Sequence, residues 1–307
     1  MTPAITGLLK DLDLGSPASA ANLTVIPLLA RREAEPSYLT LDEALARGLA
    51  VVTEVSESGS VPQLLVKNGG RQPVLILDGE ELIGAKQNRI VNLTILVPAQ
   101  TTIEIPVSCV EAGRWSHRSR TFASSGRAHY ASARAMKLGQ VSRNLRAAMG
   151  YMADQSAIWA DISEKSARMG AHSSTSAAGA MYERRRTDLD AFEKQIQASP
   201  NQVGAVFFIN GTVAGLDLFD CSATWRKQMH KLVQSYGLDA LDRADEARSD
   251  RGPDARPFLD TLNHTSAEGF PAIGLGTTVR FDGRDISGAA LVVDEGVVHL
   301  VAFPAQH

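Results

Sequence analysis

The sequence predicts an α+β protein: a mostly antiparallel β sandwich or partial barrel in the N-terminal part, an inserted helical segment, and a second, mixed β/α part. Short segments rich in Val, Ile, Leu and Thr, separated by turn residues, recur over 22–111 and again after residue 201. Between them, apolar residues recur at helical spacing. Because these segment types follow one another in blocks instead of alternating regularly, an α+β fold is favoured over a doubly wound α/β fold.

Residues 1–21 are rich in Ser, Ala and Pro and are predicted to form a flexible tail. No basic region precedes their short apolar run, which disfavours a secretory signal, and no stretch of the chain reaches the roughly 18 apolar residues of a membrane span. The two cysteines, Cys109 and Cys221, fit thiols in a reducing compartment. We therefore expect a cytoplasmic protein without membrane association.

Residues 22–111 are predicted to form the β-rich part, with strand-like segments such as TVIPLL, VVTEV and TTIEIPV. Thr40, followed three residues later by Glu43, is a capping-box pattern and predicts a short helix over 41–47. The tripeptide Asn-Gly-Gly at 68–70 is a turn signal and predicts a hairpin between the strands on either side.

Residues 112–200 are predicted to hold a long basic loop, 112–134, and helical stretches at about 136–170 and 178–198. Residues 201–307 are predicted to form a mixed α/β part that packs with the N-terminal part as one compact unit. Its clearest element is the hairpin VGAVFFI-NG-TVAGLDLF, in which the Asn-Gly pair fits a two-residue turn.

The charge of the chain is distributed unevenly. The net charge is only -3, yet the stretch from Ala112 to Ala153 contains no acidic residue. Its basic residues are Arg114, Arg118, Arg120, Arg127, Arg134, Lys137, Arg143 and Arg146. Such a stretch is typical of anion binding, while nucleic acid is not favoured as a partner. The alternative is that these residues pair with acids elsewhere in the chain, for example Glu183, Asp188 and Asp190.

The most polar connection between two strands spans residues 78–89, DGEELIGAKQNR. It is longer than a hairpin requires, which is common in functional loops. An ionisable carboxyl can act as a general acid or base, and an ammonium group can stabilise developing negative charge. The candidate catalytic residues of this connection are Glu80, Glu81 and Lys86. The alternative is a connection without a functional role, exposed to solvent and holding one or two salt bridges.

The candidate ligand-binding residues come from this connection and from the end of the strand at 106–115. Glycine permits positive φ or close backbone approach, arginine pairs bidentately with phosphate, and tryptophan offers a face on which a base can stack. The candidates are Gly79, Gly84, Gln87, Asn88, Arg89, Glu111, Arg114, Trp115, Arg118 and Arg120. A pyrophosphate such as that of ADP-ribose suits this set.

No residue is assigned as a metal ligand, although Mg²⁺ is a possible cofactor. Candidate carboxylates are Asp78, Glu80 and Glu81, or Asp217 and Asp220. Glu80 and Glu81 follow one another on a strand and point to opposite faces, which weakens this interpretation. The histidines lack metal-ligand spacing. Cys109 lies in a strand-like segment and fits a buried thiol better than a nucleophile.

The segments GEELIGAKQNRIVN, PVSCVEAGRW and NGTVAGLDLFD with SYGLDAL resemble the ADP-ribosylglycohydrolase- and rhodanese/phosphatase-superfamily-associated protein domain family. The resemblance runs from about Leu23 to Pro304. It implies a role in NAD-utilising or ADP-ribose metabolism, which was proposed for the family from gene neighbourhood. It implies neither a reaction nor catalytic residues.

Three functions remain open at this stage. The chain could bind a phosphorylated small ligand, derived from ADP-ribose or NAD, as an accessory factor. It could be a hydrolase or transferase for such a ligand, with a glutamate as acid or base, or an interaction protein that docks an acidic partner. The sequence decides neither whether the chain is an enzyme nor its oligomeric state.

Overall fold

A computed structural model describes residues 2–56, 62–116 and 118–305. It confirms the α+β class, with antiparallel sheets, helices and a closed barrel. The helices are α1 (Pro3–Lys10), α2 (Leu41–Ala46), α3 (Ala131–Arg146), α4 (Gln155–Arg168), α5 (Gly179–Arg184), α6 (Arg186–Gln195), α7 (Ser222–Asp242) and α8 (Arg256–His264). Within the described residues, no helix combines the length and the apolar character that crossing a membrane requires.

The strands of the first half of the chain are β1 (Leu12–Leu14), β2 (Ala18–Ala20), β3 (Leu23–Ala30), β4 (Leu39–Thr40), β5 (Ala50–Glu54), β6 (Gln63–Asn68), β7 (Val74–Ile76), β8 (Glu80–Gly84), β9 (Arg89–Val91), β10 (Ile95–Val97), β11 (Thr101–Cys109) and β12 (Phe122–Ala128). Those of the second half are β13 (Gln202–Ile209), β14 (Thr212–Phe219), β15 (Ala267–Pro271), β16 (Thr277–Asp282), β17 (Ile286–Val293) and β18 (Gly296–Pro304).

Six strands close into an antiparallel barrel in the order β11-β6-β5-β12-β8-β9. Apolar side chains from these strands form one cluster, including Val52, Val66, Leu82, Ile105 and Phe122, all of them buried. Alternate residues of a barrel strand point inward, so a small barrel is filled by such side chains. The barrel alternative of the sequence prediction is therefore confirmed.

The prediction of a hairpin at 68–70 is wrong. β6, which precedes it, pairs with β5 and β11, whereas β7, which follows it, pairs with β4 and β10. Asn68 instead fixes a corner between two sheets: its side-chain amide donates to the carbonyl oxygens of Gln72 at 2.9 Å and Pro98 at 3.0 Å. An Asn-Gly signal marks a tight change of direction, but it does not say which strand comes next in the sheet.

The second large sheet has the strand order β1-β3-β13-β14-β18-β17-β16-β15, with β2 also paired to β3. β3 pairs with β13 from Leu23 to Leu29, so this N-terminal strand belongs to the sheet built mainly from the C-terminal part and not to the barrel. Its two faces are both covered, because Val25 lies in one core cluster while Ile26 and Leu28 lie in another. A strand buried on both faces has a nearly continuous apolar sequence, as this one does.

Two local predictions are confirmed. Asn210 and Gly211 have φ angles of 52° and 79° and form the two-residue turn between β13 and β14. Thr40 caps α2: its Oγ1 accepts a hydrogen bond from the N–H of Glu43 at 3.4 Å, and the Glu43 carboxylate accepts one from the N–H of Thr40 at 2.9 Å.

Residues 3–20, predicted as part of a flexible tail, form α1, β1 and β2. Ile5 is completely buried and lies in the same apolar cluster as Ile26, Phe258 and Phe281. α1 and α8 thus cover one face of the large sheet. The segment is ordered because burying its apolar residues offsets the loss of chain entropy.

The stretch 112–134, predicted to be a loop, contains β12 and the start of α3. β12 reads FASSGRA and pairs with β5 and β8, which closes the barrel. Most of its residues are only partly buried, so its sequence lacks the apolar alternation that identifies a strand. The predicted helical stretch 136–170 is two helices, α3 and α4.

Helix α7 lies between the large sheet and the barrel, in contact with β13, β14 and β12. Trp225, Leu232 and Tyr236 on this helix are completely buried. Lys231, which helical spacing places on the polar face, is also completely buried because the barrel covers that side of the helix.

Candidate functional site

The polar connection at 78–89 is a hairpin of β8 and β9 with a turn between them. Its two glycines are required by the backbone. Gly84 has a φ of 132°, and a Cβ there would lie 2.6 Å from Ser119 Oγ. Gly79 has a φ of 77°, and a Cβ there would lie 2.9 Å from Arg134 Cγ. Their role is to allow close packing, since real Cβ atoms do not approach neighbours so closely.

Arg114 joins this hairpin to the segment that follows β11. Its guanidinium donates to the carbonyl oxygens of Ala85 at 2.7 Å and Gly84 at 3.2 Å, to Asn88 Oδ1 at 3.0 Å, and to Glu111 Oε2 at 2.8 Å. Arg114 is buried, and its hydrogen-bond donors are used by acceptors of the protein itself. The two predicted segments converge, and Arg114 is the residue that holds them together.

Glu111 is the acidic partner of Arg114, and we call these two residues the Arg114 clamp. Thr175 Oγ1 donates to Glu111 Oε1 at 2.8 Å, and the N–H of Asn88 donates to Oε2 at 3.2 Å. Burial opposes ionisation, but these hydrogen bonds and the Arg114 guanidinium hold the pKa of Glu111 below its usual value. Glu111 is thus an ionised carboxylate whose charge fixes Arg114 and the turn of the hairpin.

Trp115, the next residue, is half exposed, at 50%. The Nζ atom of Lys86 lies 5.4 Å from the centroid of its ring, and the guanidinium carbon of Arg89 lies 5.7 Å away. Both cations are buried, so the ring covers them. Arg118, whose side chain is 62% exposed, lies 3.8 Å from Glu111. We call Lys86, Trp115, Arg118 and the exposed Arg120 the Trp115 surface.

Arg89 and Gln87 lie beneath this surface, at one end of the barrel. Arg89 Nη1 donates to Gln87 Oε1 at 2.8 Å and to Cys109 Sγ at 2.6 Å, and the Cys109 thiol donates to Gln87 Oε1 at 3.0 Å. Glu54 lies 4.0 Å from Arg89 Nη2. Burial raises the pKa of Cys109 to about 11, so it is a buried thiol at neutral pH. This network supports Trp115 from below.

Glu80 points away from the Trp115 surface, into the interface between the barrel and α7. It is completely buried and lies 2.5 Å from the Nζ atom of Lys231, which also lies 2.5 Å from Asp42. Its other oxygen accepts a hydrogen bond from the N–H of Leu77 at 3.0 Å. Glu80 is thus placed where it pairs with Lys231, a residue that sequence reasoning missed.

Glu81 lies on the opposite side of β8 from Glu80. Burial raises the pKa of Glu81, and the negative charges of Glu111 and Glu183 raise it further, against the effects of Ser125 and Arg127. Ser125 and Arg127 line a polar cleft of about 180 Å³. The other residues that line it are Gly126, Tyr182, Arg186, Leu189, Asp190 and Gln234. Sequence reasoning missed this cleft, for which the only signal was Arg127 in the acid-free stretch.

Four of the eight basic residues of the acid-free stretch pair with acids far away in sequence, and two more, Arg114 and Arg118, pair with the nearby Glu111. Arg127 pairs with Glu183, as the alternative interpretation expected. The remaining pairs are Arg134 with Asp78 and Asp217, Lys137 with Asp78, and Arg146 with Glu268 and Asp282. The basic surface available to a ligand is therefore much smaller than the sequence suggests.

Three of the carboxylates considered for Mg²⁺ are paired with cationic side chains. Asp78 and Asp217 both bind Arg134, and Glu80 binds Lys231. Over residues 2–56, 62–116 and 118–305, no three His, Cys, Asp or Glu side chains are grouped so as to hold a metal ion.

Comparison with protein families gives a match over most of the chain. Residues 11–303 match the family described as the ARG and Rhodanese-Phosphatase-superfamily-associated Protein domain. Compared with curated proteins and with solved structures, the chain shows no significant match.

Proposed function

The chain belongs to the ARG and Rhodanese-Phosphatase-superfamily-associated Protein domain family, and from this membership we propose that it binds a phosphorylated small molecule of the ADP-ribose type at the Trp115 surface. The family name associates the domain with ADP-ribosylglycohydrolases, whose chemistry concerns ADP-ribose. The observation that carries the proposal is a half-exposed tryptophan followed three residues later by an exposed arginine, next to the Arg114 clamp.

Each part of this surface suits one part of the ligand. The exposed part of the Trp115 ring offers a stacking face for an adenine base. The Arg118 guanidinium lies 3.8 Å from Glu111 and forms no other ion pair with a residue that the structure describes, so it keeps donors for a bidentate contact with phosphate. Lys86 and Arg89, which the ring covers, add positive charge behind it. Because Arg114 uses its own donors within the protein, it positions Trp115 and does not contact the ligand.

Replacing Trp115 by alanine is expected to weaken binding of ADP-ribose by about 5- to 150-fold, because stacking of one base on an aromatic side chain contributes about 1–3 kcal/mol. Arg118→Gln is expected to weaken it by about tenfold, through loss of a charge-assisted hydrogen bond. Calorimetric titration with ADP-ribose, NAD, AMP and adenosine measures both effects. Adenosine, which lacks phosphate, is expected to bind least.

The matched control for the arginine variant is Arg71→Gln, which removes an exposed guanidinium from a loop at 69–73, outside the Trp115 surface. It is expected to leave the affinity unchanged. Titrations of the folded wild-type protein that release no heat with any of the phosphorylated compounds would refute the proposal. Equal affinities of the wild type and Trp115→Ala would refute the assignment of the surface.

A second candidate function, hydrolysis or transfer of an ADP-ribosyl-type group, is favoured by the surroundings of Glu81. Glu81 is buried next to Ser125 and Arg127, which line the polar cleft. The two carboxyl groups Glu81 and Glu111 have pKa values shifted in opposite directions by their surroundings, upward for Glu81 and downward for Glu111. A carboxyl that stays protonated to higher pH and a nearby ionised one are the pair that acid–base catalysis uses.

If the chain is such an enzyme, Glu81→Gln is expected to lower turnover of an ADP-ribosyl substrate by about 100- to 10,000-fold while leaving its binding intact, because general acid–base catalysis contributes that much. Release of ADP-ribose over time is the measurement. Glu104→Gln, an exposed glutamate on β11, is the matched control and is expected to keep full activity. Equal turnover by the wild type and Glu81→Gln would eliminate this candidate.

A further inference from the structure

A cluster of buried charged side chains ties α3 to the large sheet and to the residue that precedes the β8–β9 hairpin. Its members, which we call the buried charge cluster, are Asp78, Arg134, Lys137, Asp217, Arg280 and His299, all of them at most 3% exposed. None of them belongs to the Trp115 surface. The cluster therefore lies outside the site described above.

Four members of the cluster satisfy one another. Arg134 donates to Asp217 at 2.6 Å and 3.1 Å and to Asp78 at 3.3 Å. Lys137 pairs with Asp78 and donates to the carbonyl oxygen of Val91 at 2.6 Å. Two cations and two carboxylates thus balance. His299 adds a contact of 3.2 Å with Asp217.

Arg280 is the member without a counter-charge. Its guanidinium forms no ion pair with any residue in the described part of the chain, and its Nε and one Nη atom have no hydrogen-bond partner there. Glu268, its partner across the β15–β16 pair, binds Arg146 instead. Burial lowers the pKa of Arg280 to about 10, so it remains positively charged at neutral pH.

A small cavity lies next to this guanidinium. Its volume is about 10 Å³, room for one water-sized species. Polar residues around it are Arg280, Thr278, Thr94, Asn92, Asp78 and His299. The cavity also borders the aliphatic side chains of Leu138, Leu291 and Val301, and its small volume excludes a larger ligand.

We propose that this cavity binds a single small monoatomic anion, such as chloride, against Arg280. Asp78, Arg134, Lys137, Asp217 and Arg280 together carry three cations and two carboxylates, so one positive charge is left over. An uncompensated charge inside a protein costs several kcal/mol, and a neutral water molecule does not remove that cost. Asp78 also borders the cavity, but Lys137 and Arg134 already neutralise its charge. An anion at Arg280 completes the charge balance.

Bromide can replace chloride in a crystal, and its anomalous scattering distinguishes it from water. Crystals of the wild-type protein soaked in sodium bromide are expected to show an anomalous peak inside the cavity, at hydrogen-bonding distance from the Arg280 guanidinium. Crystals of Arg280→Met are expected to lack this peak. A wild-type cavity that holds density without anomalous signal at high bromide concentration contains water and overturns the proposal.

Thermal unfolding supplies an independent readout in solution. An ion that binds only the folded state, present at 100 times its dissociation constant, is expected to raise the melting temperature by roughly 5 °C. The rise is expected with chloride or bromide and not with gluconate at equal ionic strength. Arg284→Met, an exposed neighbour on the same hairpin, is the control and should keep the response. Identical melting temperatures of the wild type in chloride and gluconate contradict the proposal even if Arg280→Met fails to fold.

Discussion

Replacing Arg134 by methionine is expected to lower the free energy of unfolding by about 3–5 kcal/mol, because it leaves buried carboxylates without their counter-charge. Arg134 is completely buried and bridges Asp78, next to the β8–β9 hairpin, and Asp217 on the large sheet. Asp217 keeps the hydrogen bond from Tyr236 at 2.8 Å and the contact with His299, but it loses both hydrogen bonds from the guanidinium. Denaturant unfolding followed by circular dichroism measures the loss.

Arg143→Met is the matched control for this experiment. It lies on the same helix, is exposed, and forms no ion pair with a described residue. Substitutions at such surface positions usually change stability by less than about 0.5 kcal/mol. If Arg134→Met and Arg143→Met lose equally little stability, the cluster at Asp217 contributes nothing to the folded state.

Replacing Lys231 by methionine is expected to cost about 3 kcal/mol or more for the same reason. Lys231 and Glu80 are both completely buried, 2.5 Å apart, at the interface between α7 and the barrel. The substitution leaves Glu80 as a buried carboxylate whose one remaining donor among the described residues is the N–H of Leu77. Urea unfolding of the variant, compared with the wild type at neutral pH, gives the difference directly.

The double variant Lys231→Met with Glu80→Gln is expected to recover part of this loss, because the remaining side chain is neutral. Lys227→Met on the same helix breaks only a partly exposed pair with Glu43 and is expected to cost less than about 1 kcal/mol. A double variant as unstable as the sum of its two single variants would show that Glu80 and Lys231 are not coupled. Strong coupling instead assigns Glu80 a structural role and removes it as a candidate acid or base.

The fold class followed from the sequence because local signals and burial agreed over much of the chain. The Asn210-Gly211 turn lies between two apolar strands, and the capping box at Thr40 needs only its own four residues. The sheet to which β3 belongs could not be assigned from local signals. Its apolar sequence shows that both of its faces are buried, but pairing with β13 joins segments almost 180 residues apart, and no local pattern carries that information.

The candidate site was predictable in its position and not in its contacts. The hairpin at 78–89 and the segment after Cys109 do meet, and Trp115 is exposed. The sequence could not show that the Arg114 guanidinium would donate its hydrogen bonds to backbone carbonyl oxygens of the hairpin. It could not show either that Glu80 and Glu81 would meet different partners, although the alternation of side chains along a strand indicated opposite faces.

The acid-free stretch shows why charge patterns in a sequence overstate a binding surface. The acids that neutralise its basic residues lie elsewhere in the sequence but close to them in the folded chain. In the folded chain, Arg127 meets Glu183, Arg134 meets Asp217, and Arg146 meets Asp282. The exposed arginines of the stretch that no distant acid among the described residues occupies are Arg118, Arg120 and Arg143, and the first two follow the Arg114 clamp.

A crystal structure of the protein soaked with ADP-ribose locates the ligand without reference to any variant. We expect density for the adenine base against the exposed part of the Trp115 ring and for the pyrophosphate beside Arg118. Density instead in the cleft lined by Ser125 and Arg127 would contradict binding at the Trp115 surface and favour the candidate enzyme with Glu81 as its acid. A soaked crystal with no ligand at either place, from protein that also shows no calorimetric heat, would contradict both.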